Sequence, residues 1–290
     1  MATKWEAKSK GTVLGYKIFV FFIKNLGLTA AYILLVPVAL YYLLFSVKST
    51  KALFYYFNKR LVYSNIKSLW SVYKNYIVFG QTIIDKTAIG SGLKHKFTYE
   101  FDGIEKLNAL LKQGKGGILI SAHIGNFEIG EFFFDDIDLQ SQINLVITDA
   151  EHQHIKAYLN KVTHKSNLKI IVIQNDFSHI YKISAALNNG ELVCITGDRY
   201  IDNTKTFTDT FLGAEAEFPS GPFQIASKLK TPVAFVYVMK ASKTHYHLYT
   251  RTTQTEQKSA QEILKVYIQD LELVLQKYPL QWFNYFKFWN

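Results

Sequence analysis

A histidine and a glutamate five residues apart follow a short apolar run near the middle of the chain. His123 and Glu128 stand in the stretch Gly-Gly-Ile-Leu-Ile-Ser-Ala-His-Ile-Gly-Asn-Phe-Glu, which begins at residue 116. An imidazole acts as a general base, and a nearby carboxylate fixes its tautomer and stabilises the imidazolium. Such a pair would take a proton from a hydroxyl and make that hydroxyl a nucleophile.

This spacing requires a turn between a strand and a helix. On one continuous helix five residues advance about 500°, so the two side chains would point to different faces. Gly125 suits the turn and Asn126 suits a helix N-cap, which places His123 before the helix. We expect the N–H groups at Gly125 and Asn126 to bind a carbonyl oxyanion. The alternative, which is commoner for an isolated His-x4-Glu, is a core histidine with a solvated glutamate.

Strands that alternate with helices predict an α/β fold, with a mostly parallel central sheet flanked by helices. We expect residues 1–86 to form an N-terminal membrane-associated helical region and residues 87–290 to form the catalytic α/β domain. Residues 198–217 are expected to be a polar loop, and the last two strands to pair antiparallel. The expected strands are 117–121, 143–148, 168–173, 192–196, 232–239 and 245–251, and the expected helices 105–112, 126–134, 151–165, 177–189, 219–230 and 260–277.

The net charge of +10 is concentrated near the N-terminus, because residues 1–75 hold eleven Lys and Arg and one acidic residue, Glu6. Residues 27–47 carry no charge, and about 20 apolar residues suffice to span a bilayer. Pro37 and several tyrosines weaken a simple spanning helix, so an interfacial anchor or a buried helical hairpin of a soluble protein stays open. Residues 51–78 resemble a second, interfacial amphipathic helix. No nucleic-acid-binding motif accompanies the charge, so we expect no nucleic-acid partner.

Two further sites are expected near the same edge of the sheet. Asp198 and Arg199 follow the strand at 192–196, so they are expected on the same rim as His123. Arg199 suits a phosphate or carboxylate, whereas Asp198 could position Arg199 or help the substrate hydroxyl; a solvated ion pair is the alternative. Ser220 and Gly221 open a helix whose N–H groups suit an anion, or simply form its structural start. With one cysteine and no nucleotide-binding or zinc motif, we expect no metal and no cofactor.

These motifs together resemble the late acyltransferases of lipid A biosynthesis, within the wider group of glycerolipid-type acyltransferases that share a His-x4-Asp/Glu motif. The resemblance covers most of the chain, and Ala122 and Ser220 favour the lipid A branch because glycerophosphate enzymes usually have Asn and Glu there. It rests on the N-terminal apolar and basic segment, Ser-Ala-His-Ile-Gly-Asn-Phe-Glu at 121–128, Gly-Asp-Arg at 197–199, the blocks at 211–213 and 218–222, and Pro-Leu-Gln-Trp at 279–282.

The resemblance implies transfer of a fatty acyl chain from a thioester to a hydroxyl of a membrane glycolipid, at the cytoplasmic face of the inner membrane. The donor would be an acyl carrier protein or CoA thioester. Alternatives are another acceptor (a phospholipid, an aminolipid or a pigment phenol) or a non-catalytic lipid-binding protein. In this interpretation His123 is the general base and Glu128 orients it. The residues expected to bind substrates are Gly125, Asn126, Asp198, Arg199, Ser220 and Gly221.

Overall fold

In the computed structural model, the described N-terminal residues form the α-helices α1 (Val13–Phe45), α2 (Val47–Tyr55) and α3 (Asn65–Ala88). Helix α1 is kinked at Gly27, where φ is 81°. Helices α1 and α3 run antiparallel, because Tyr42 packs on Tyr76 whereas Tyr32 meets Asp85. The structure describes residues 13–134, 141–148, 169–173, 176, 178–200, 204–253 and 258–289.

One sheet lies at the centre of the α/β part, and its strands within the described residues are β1 (Thr98–Asp102), β2 (Gly117–Ser121), β3 (Ile143–Thr148), β4 (Lys169–Ile173), β5 (Leu192–Thr196), β8 (Val233–Lys240) and β9 (His245–Thr253). They lie in the order β1-β9-β8-β2-β5-β3-β4. Neighbouring strands are parallel except for β8 and β9, which are antiparallel. The helices here are α4 (Ile104–Leu111), α5 (Gly130–Phe134), α6 (Ser178–Asn188), α7 (Gly221–Leu229) and α8 (Ala260–Lys277).

The expected α/β class and the antiparallel final strand pair are confirmed. The prediction of a polar loop at 198–217 is wrong in part, because β6 (Thr206–Phe211) and β7 (Ala214–Pro219) form an antiparallel hairpin there. Polar and apolar residues alternate along this hairpin, and it buries Phe211 and Phe218 completely. The edge strand β1 was not expected, although polar and apolar residues alternate along Thr98–Asp102; its residues are half-buried or exposed. The helix expected at 151–165 lies outside the described residues.

The apolar core forms on both faces of the central strands, because successive side chains of a strand point to opposite faces. On one face Ile118 and Ile120 of β2 pack with α8 and with the C-terminal tryptophans. On the other face Leu119 packs against α4. Residues of α2 and α3 join the first of these clusters, so the N-terminal helices share the core of the α/β part. The domain boundary expected at residue 87 falls inside α3 and stays a prediction.

A buried polar network ties α1 and α3 to the sheet. Asp85 of α3 is fully buried, and the Nζ atom of Lys240 at the end of β8 lies 2.5 Å from its Oδ2. The hydroxyls of Tyr32 and Tyr246 also donate to the Asp85 carboxylate. Burial raises the pKa of Asp85 and lowers that of Lys240, while the attraction between the two charges opposes both shifts. Each charge is therefore tolerable only because the other is present.

We expect Asp85→Asn to destabilise the protein by about 3–5 kcal/mol, because Lys240 then stays buried without a counter-charge. Adding Lys240→Met should recover much of this loss, since the buried ammonium is gone while the amide still accepts from the two tyrosines. Denaturant unfolding of the full chain measures both variants. Equal stability of Asp85→Asn and the unchanged protein would contradict this account.

Candidate active site

The carboxyl ends of β2 and β5 place two side chains opposite each other. These strands are parallel neighbours, and their register pairs Ser121 with Thr196 at their ends. His123 follows β2 by two residues, and Asp198 follows β5 by two residues. The matched register therefore brings the imidazole and the carboxylate together at the edge where open α/β sheets bind ligands.

Asp198 contacts His123 through both of its carboxylate oxygens. Nδ1 of His123 lies 2.8 Å from Oδ1, and the main-chain N–H of His123 donates to Oδ2 at 3.0 Å. The Asp198 side chain is 1% exposed, whereas that of His123 keeps 32% of its surface exposed. The carboxylate is thus sealed from solvent, and the imidazole faces outward from it.

The protonation of this pair follows from its surroundings. Burial alone raises the pKa of Asp198, but the charges of His123 and Arg199 and the hydrogen bonds from His123 outweigh it and lower that pKa to about 2. The ionised carboxylate can only accept hydrogen bonds, so Nδ1 of His123 carries the hydrogen between them. In the neutral ring the hydrogen is then on Nδ1 and the free lone pair is on Nε2. This is the tautomer that a general base requires if Nε2 is to accept the proton.

The C-terminal segment, residues 281–283, lies directly against this pair. The indole Nε1–H of Trp282 donates to Oδ2 of Asp198 at 3.2 Å, and the N–H of Phe283 donates to the carbonyl of His123 at 2.9 Å. Arg199 donates to the carbonyl of Phe283. Trp282 was not expected as a site residue, although Pro-Leu-Gln-Trp was already one of the motifs behind the resemblance.

Gly125 makes the turn after His123, as the sequence predicted. Its φ is 60°, and a Cβ at this position would lie 2.2 Å from the carbonyl oxygen of Val238. Its N–H donates to the carbonyl of Gln281 at 2.9 Å, and the N–H of Asn126 donates to that of Val238 at 2.7 Å. The prediction that these two N–H groups form an oxyanion site is therefore wrong, because both already donate hydrogen bonds to protein carbonyls.

Asn126 does not cap the following helix with its side chain. Its amide instead donates to the carbonyl of Thr82 at 2.9 Å and to the hydroxyl of Tyr246 at 3.3 Å. Because that hydroxyl also belongs to the Asp85 network, Asn126 links the turn after His123 to the N-terminal helices. Substrate contact by Gly125 or Asn126 stays a prediction.

Glu128 lies in a 3₁₀ turn, Phe127–Ile129, that follows this glycine turn. The helix expected at 126–134 is thus this turn followed by α5. His123 does lie before the helical segment, as its spacing from Glu128 required. The side chain of Glu128 lies outside the described part of the structure, so its role as partner of His123 stays a prediction.

Of the remaining expected residues, Arg199 has a contact with the segment that covers His123, whereas Ser220 and Gly221 follow the β6–β7 hairpin. The Cζ atom of Arg199 lies 6.0 Å from the centre of the Phe286 ring. The same side chain donates to the carbonyl of Phe283, so both of these contacts are with the C-terminal part of the chain. Ser220 is 3% exposed, and its hydroxyl donates to the carbonyl of Lys205 at 2.8 Å, which joins the start of α7 to the start of β6. Gly221 is exposed at the first position of α7. Anion binding by these residues stays a prediction.

The ionised Asp198 should support stability at every pH except in strong acid. Its pKa in the fold, about 2, lies below its ordinary value of 3.8, so its contribution is complete above pH 3.8 and is lost as the pH falls towards 2. This contribution is worth about 2 kcal/mol. Unfolding free energies of the unchanged protein and of Asp198→Asn, compared across this range, should converge by that amount on acidification. A difference between them that does not vary with pH would contradict the assignment.

A search of curated proteins found no match to this chain. A scan against protein families matched residues 71–290 to the family described as bacterial lipid A biosynthesis acyltransferase. The match includes both strands that carry the His123–Asp198 pair and the C-terminal segment that covers it. The chain therefore belongs to the bacterial lipid A biosynthesis acyltransferases and is an acyltransferase.

Proposed function

We propose that this chain transfers a fatty acyl group from an acyl thioester to a hydroxyl of a lipid A precursor or a similar membrane glycolipid. One observation carries the proposal: a partly exposed imidazole, held by a buried carboxylate, lies at the ligand-binding edge of the sheet in a member of this family. Acyl transfer to an alcohol needs a base for the hydroxyl proton, and the His123–Asp198 pair has the tautomer and the exposure for that task.

In the first step Nε2 of His123 accepts the proton of the acceptor hydroxyl while its oxygen attacks the thioester carbonyl carbon. Asp198 accepts from Nδ1–H throughout and stabilises the imidazolium that forms. The tetrahedral intermediate then collapses as the C–S bond breaks, and the imidazolium returns its proton to the leaving thiolate. The net result is one new ester and one free thiol, with His123 neutral again.

Both substrates suit the charge and apolar surface of the N-terminal part. Acyl carrier proteins are acidic, and the basic residues of this part would steer such a donor towards the site. The glycolipid acceptor lies in a bilayer, and α1 contains a 29-residue segment, Lys17–Phe45, that is apolar enough to enter one. We therefore place the protein at the cytoplasmic face of the inner membrane, with an acyl carrier protein or CoA thioester as donor.

The full chain in anionic vesicles, supplied in turn with acyl carrier protein and CoA thioesters and a panel of acceptors, tests this function by mass spectrometry of the products. We expect the mass of one acyl group to be added to a lipid A precursor. Acylation of a phospholipid, an aminolipid or a phenol instead would keep the acyltransferase and replace its acceptor. Lipid binding with no product from any pair would contradict the proposed reaction.

We expect His123→Ala to lower kcat by about 10²- to 10⁴-fold while the protein stays folded, because a positioned general base contributes that much. The matched control is His245→Ala, which removes an imidazole of nearly equal exposure, 33%, from the start of β9. Steady-state rates with saturating thioester measure both variants. Similar losses in the two variants would show that the effect is not specific to His123.

The two carboxylates considered as partners of His123 can be told apart by amide substitution. Asp198→Asn offers Nδ1 an amide that favours the wrong tautomer, so we expect a loss of about 10²- to 10⁴-fold in kcat. Glu128→Gln should cause a comparable loss only if Glu128, as the spacing first suggested, is the group that orients His123. Rates and thermal unfolding of both variants decide this, and full activity of a folded Asp198→Asn would refute the role proposed for Asp198.

A further inference from the structure

Helix α1 carries apolar residues on two opposite faces. One face, which includes Leu28, Tyr32 and Leu35, is buried against α3 and the sheet. The other face is apolar but exposed, which is unusual for a helix that lies against a folded body in water. The exposed large apolar residues on the second half of α1 are Ile33 at 67%, Val36 at 45%, Leu40 at 46%, Tyr41 at 57%, Leu44 at 60% and Phe45 at 68%.

Charged residues of the rest of the protein are fixed beside this apolar helix. Nζ of Lys243, which is exposed, donates to the hydroxyl of Thr29 at 2.8 Å. The hydroxyl of Tyr73 donates to the carbonyl of Val36 at 3.2 Å, so the exposed Lys74 that follows it stands near the middle of the uncharged run 27–47.

A transverse α1 would carry Lys74 into the membrane. The run 27–47 is about 30 Å long as a helix, which equals the hydrocarbon thickness, so Val36 would lie near the bilayer midplane. Lys74 would then be drawn close to that midplane, where a charged side chain is expensive. The contacts of α1 therefore oppose a crossing of the bilayer and favour a helix that lies along its surface.

A second exposed apolar group lies at the start of α3. Val62, in the turn before this helix, is 84% exposed and has φ of 56°, a left-handed conformation that strains a β-branched residue. Such strain on the surface has no packing benefit, so it points to a use for the side chain in contact with a partner. Ile66, Leu69 and Trp70 are exposed on the first two turns of α3, at 86%, 50% and 56%.

The charges around both groups indicate what that partner is. Residues 7–84 contain ten Lys and Arg and no Asp or Glu. Nζ of Lys67 lies 3.5 Å from the centre of the Tyr63 ring, and that of Lys74 lies 5.5 Å from that of Trp70. Basic and aromatic residues around an apolar surface are typical of proteins seated at an anionic membrane interface.

We propose that the exposed face of α1 and the group Val62, Ile66, Leu69 and Trp70 together bind one leaflet of an anionic bilayer, without crossing it. We call these residues the bilayer-contact surface. This inference rests on the membrane location given under the proposed function and adds the orientation: α1 lies in the plane of the membrane, and the body stays on one side. The lipid acceptor would then reach the site from the leaflet on which the protein sits.

The topology of α1 is tested by placing single cysteines at its two ends. Lys24→Cys and Lys48→Cys replace exposed residues on either side of the uncharged run, and the native Cys194 is buried and slow to react. A membrane-impermeant maleimide is added to sealed inverted inner-membrane vesicles and, separately, to spheroplasts. We expect both cysteines to react in the inverted vesicles and neither in spheroplasts.

Reaction of the two cysteines from opposite sides would show that α1 crosses the membrane and would overturn the proposal. Acyl transfer is measured in the same inverted vesicles, so a crossing α1 with normal turnover would leave the proposed function intact. Loss of turnover with both cysteines on one side would instead count against the function alone.

The α3 part of the bilayer-contact surface is tested with a nitroxide at Ile66→Cys in phosphatidylcholine–phosphatidylglycerol vesicles. The matched control is Tyr181→Cys, because Tyr181 is 78% exposed on α6 in the α/β part. We expect the probe at 66 to collide more with oxygen and less with a water-soluble nickel complex than the probe at 181. Equal nickel accessibility at both positions, or immobilisation of the probe at 66 by acyl carrier protein but not by vesicles, would overturn this part.

Val62→Asn separates a contact role from a purely structural one. Asparagine tolerates the left-handed conformation better than valine, so the unfolding temperature in detergent should not fall. The nitroxide at 66 should nevertheless become more accessible to the nickel complex, because the apolar anchor beside it is gone. A variant with unchanged accessibility at 66 would show that Val62 does not contact the bilayer.

Discussion

The buried carboxylate of Asp198 is the group on which the geometry of the site depends. An ionised carboxylate that water cannot reach must receive hydrogen bonds from the protein. Without them, the cost of its desolvation would destabilise the fold or cause the carboxylate to take up a proton. Its donors are the N–H and Nδ1 of His123 and the indole of Trp282, which come from the end of β2 and from the C-terminal segment. The same bonds that stabilise this charge also fix the imidazole in the tautomer of a base.

The C-terminal segment makes this arrangement rigid. Both amide atoms of Gln281 bond to the main chain of Lys240, at 2.9 and 2.8 Å, so the segment is fixed to the end of β8. Asn75 of α3 donates to the carbonyls of Leu280 and Trp282, each at 3.0 Å. The last residues of the chain thus join the catalytic turn to an N-terminal helix, and changes in that helix can displace the base.

A second link to the N-terminal helices passes through Asn126 and the Asp85 network. Asn126 lies three residues after His123, and its amide reaches Thr82 of α3 and the hydroxyl of Tyr246. Asp85 and Lys240 then connect this hydroxyl to Tyr32 of α1. The helices that we place on the bilayer and the base that we assign to acyl transfer therefore belong to one packed unit, as an enzyme that acts on a membrane lipid requires.

The sequence by itself determined the local features: the strands 117–121 and 192–196, the glycine turn after His123, and the presence of His123 and Asp198 on one rim. Hydrophobic periodicity and turn residues act over a few neighbours, so they could be interpreted without the fold. Only the tertiary structure decided that Asp198 meets Nδ1 of His123, because that depends on β5 lying beside β2 in matched register. Likewise, the N–H of Gly125 donates to the carbonyl of Gln281, a residue far along the chain. No local sequence pattern encodes such a long-range contact.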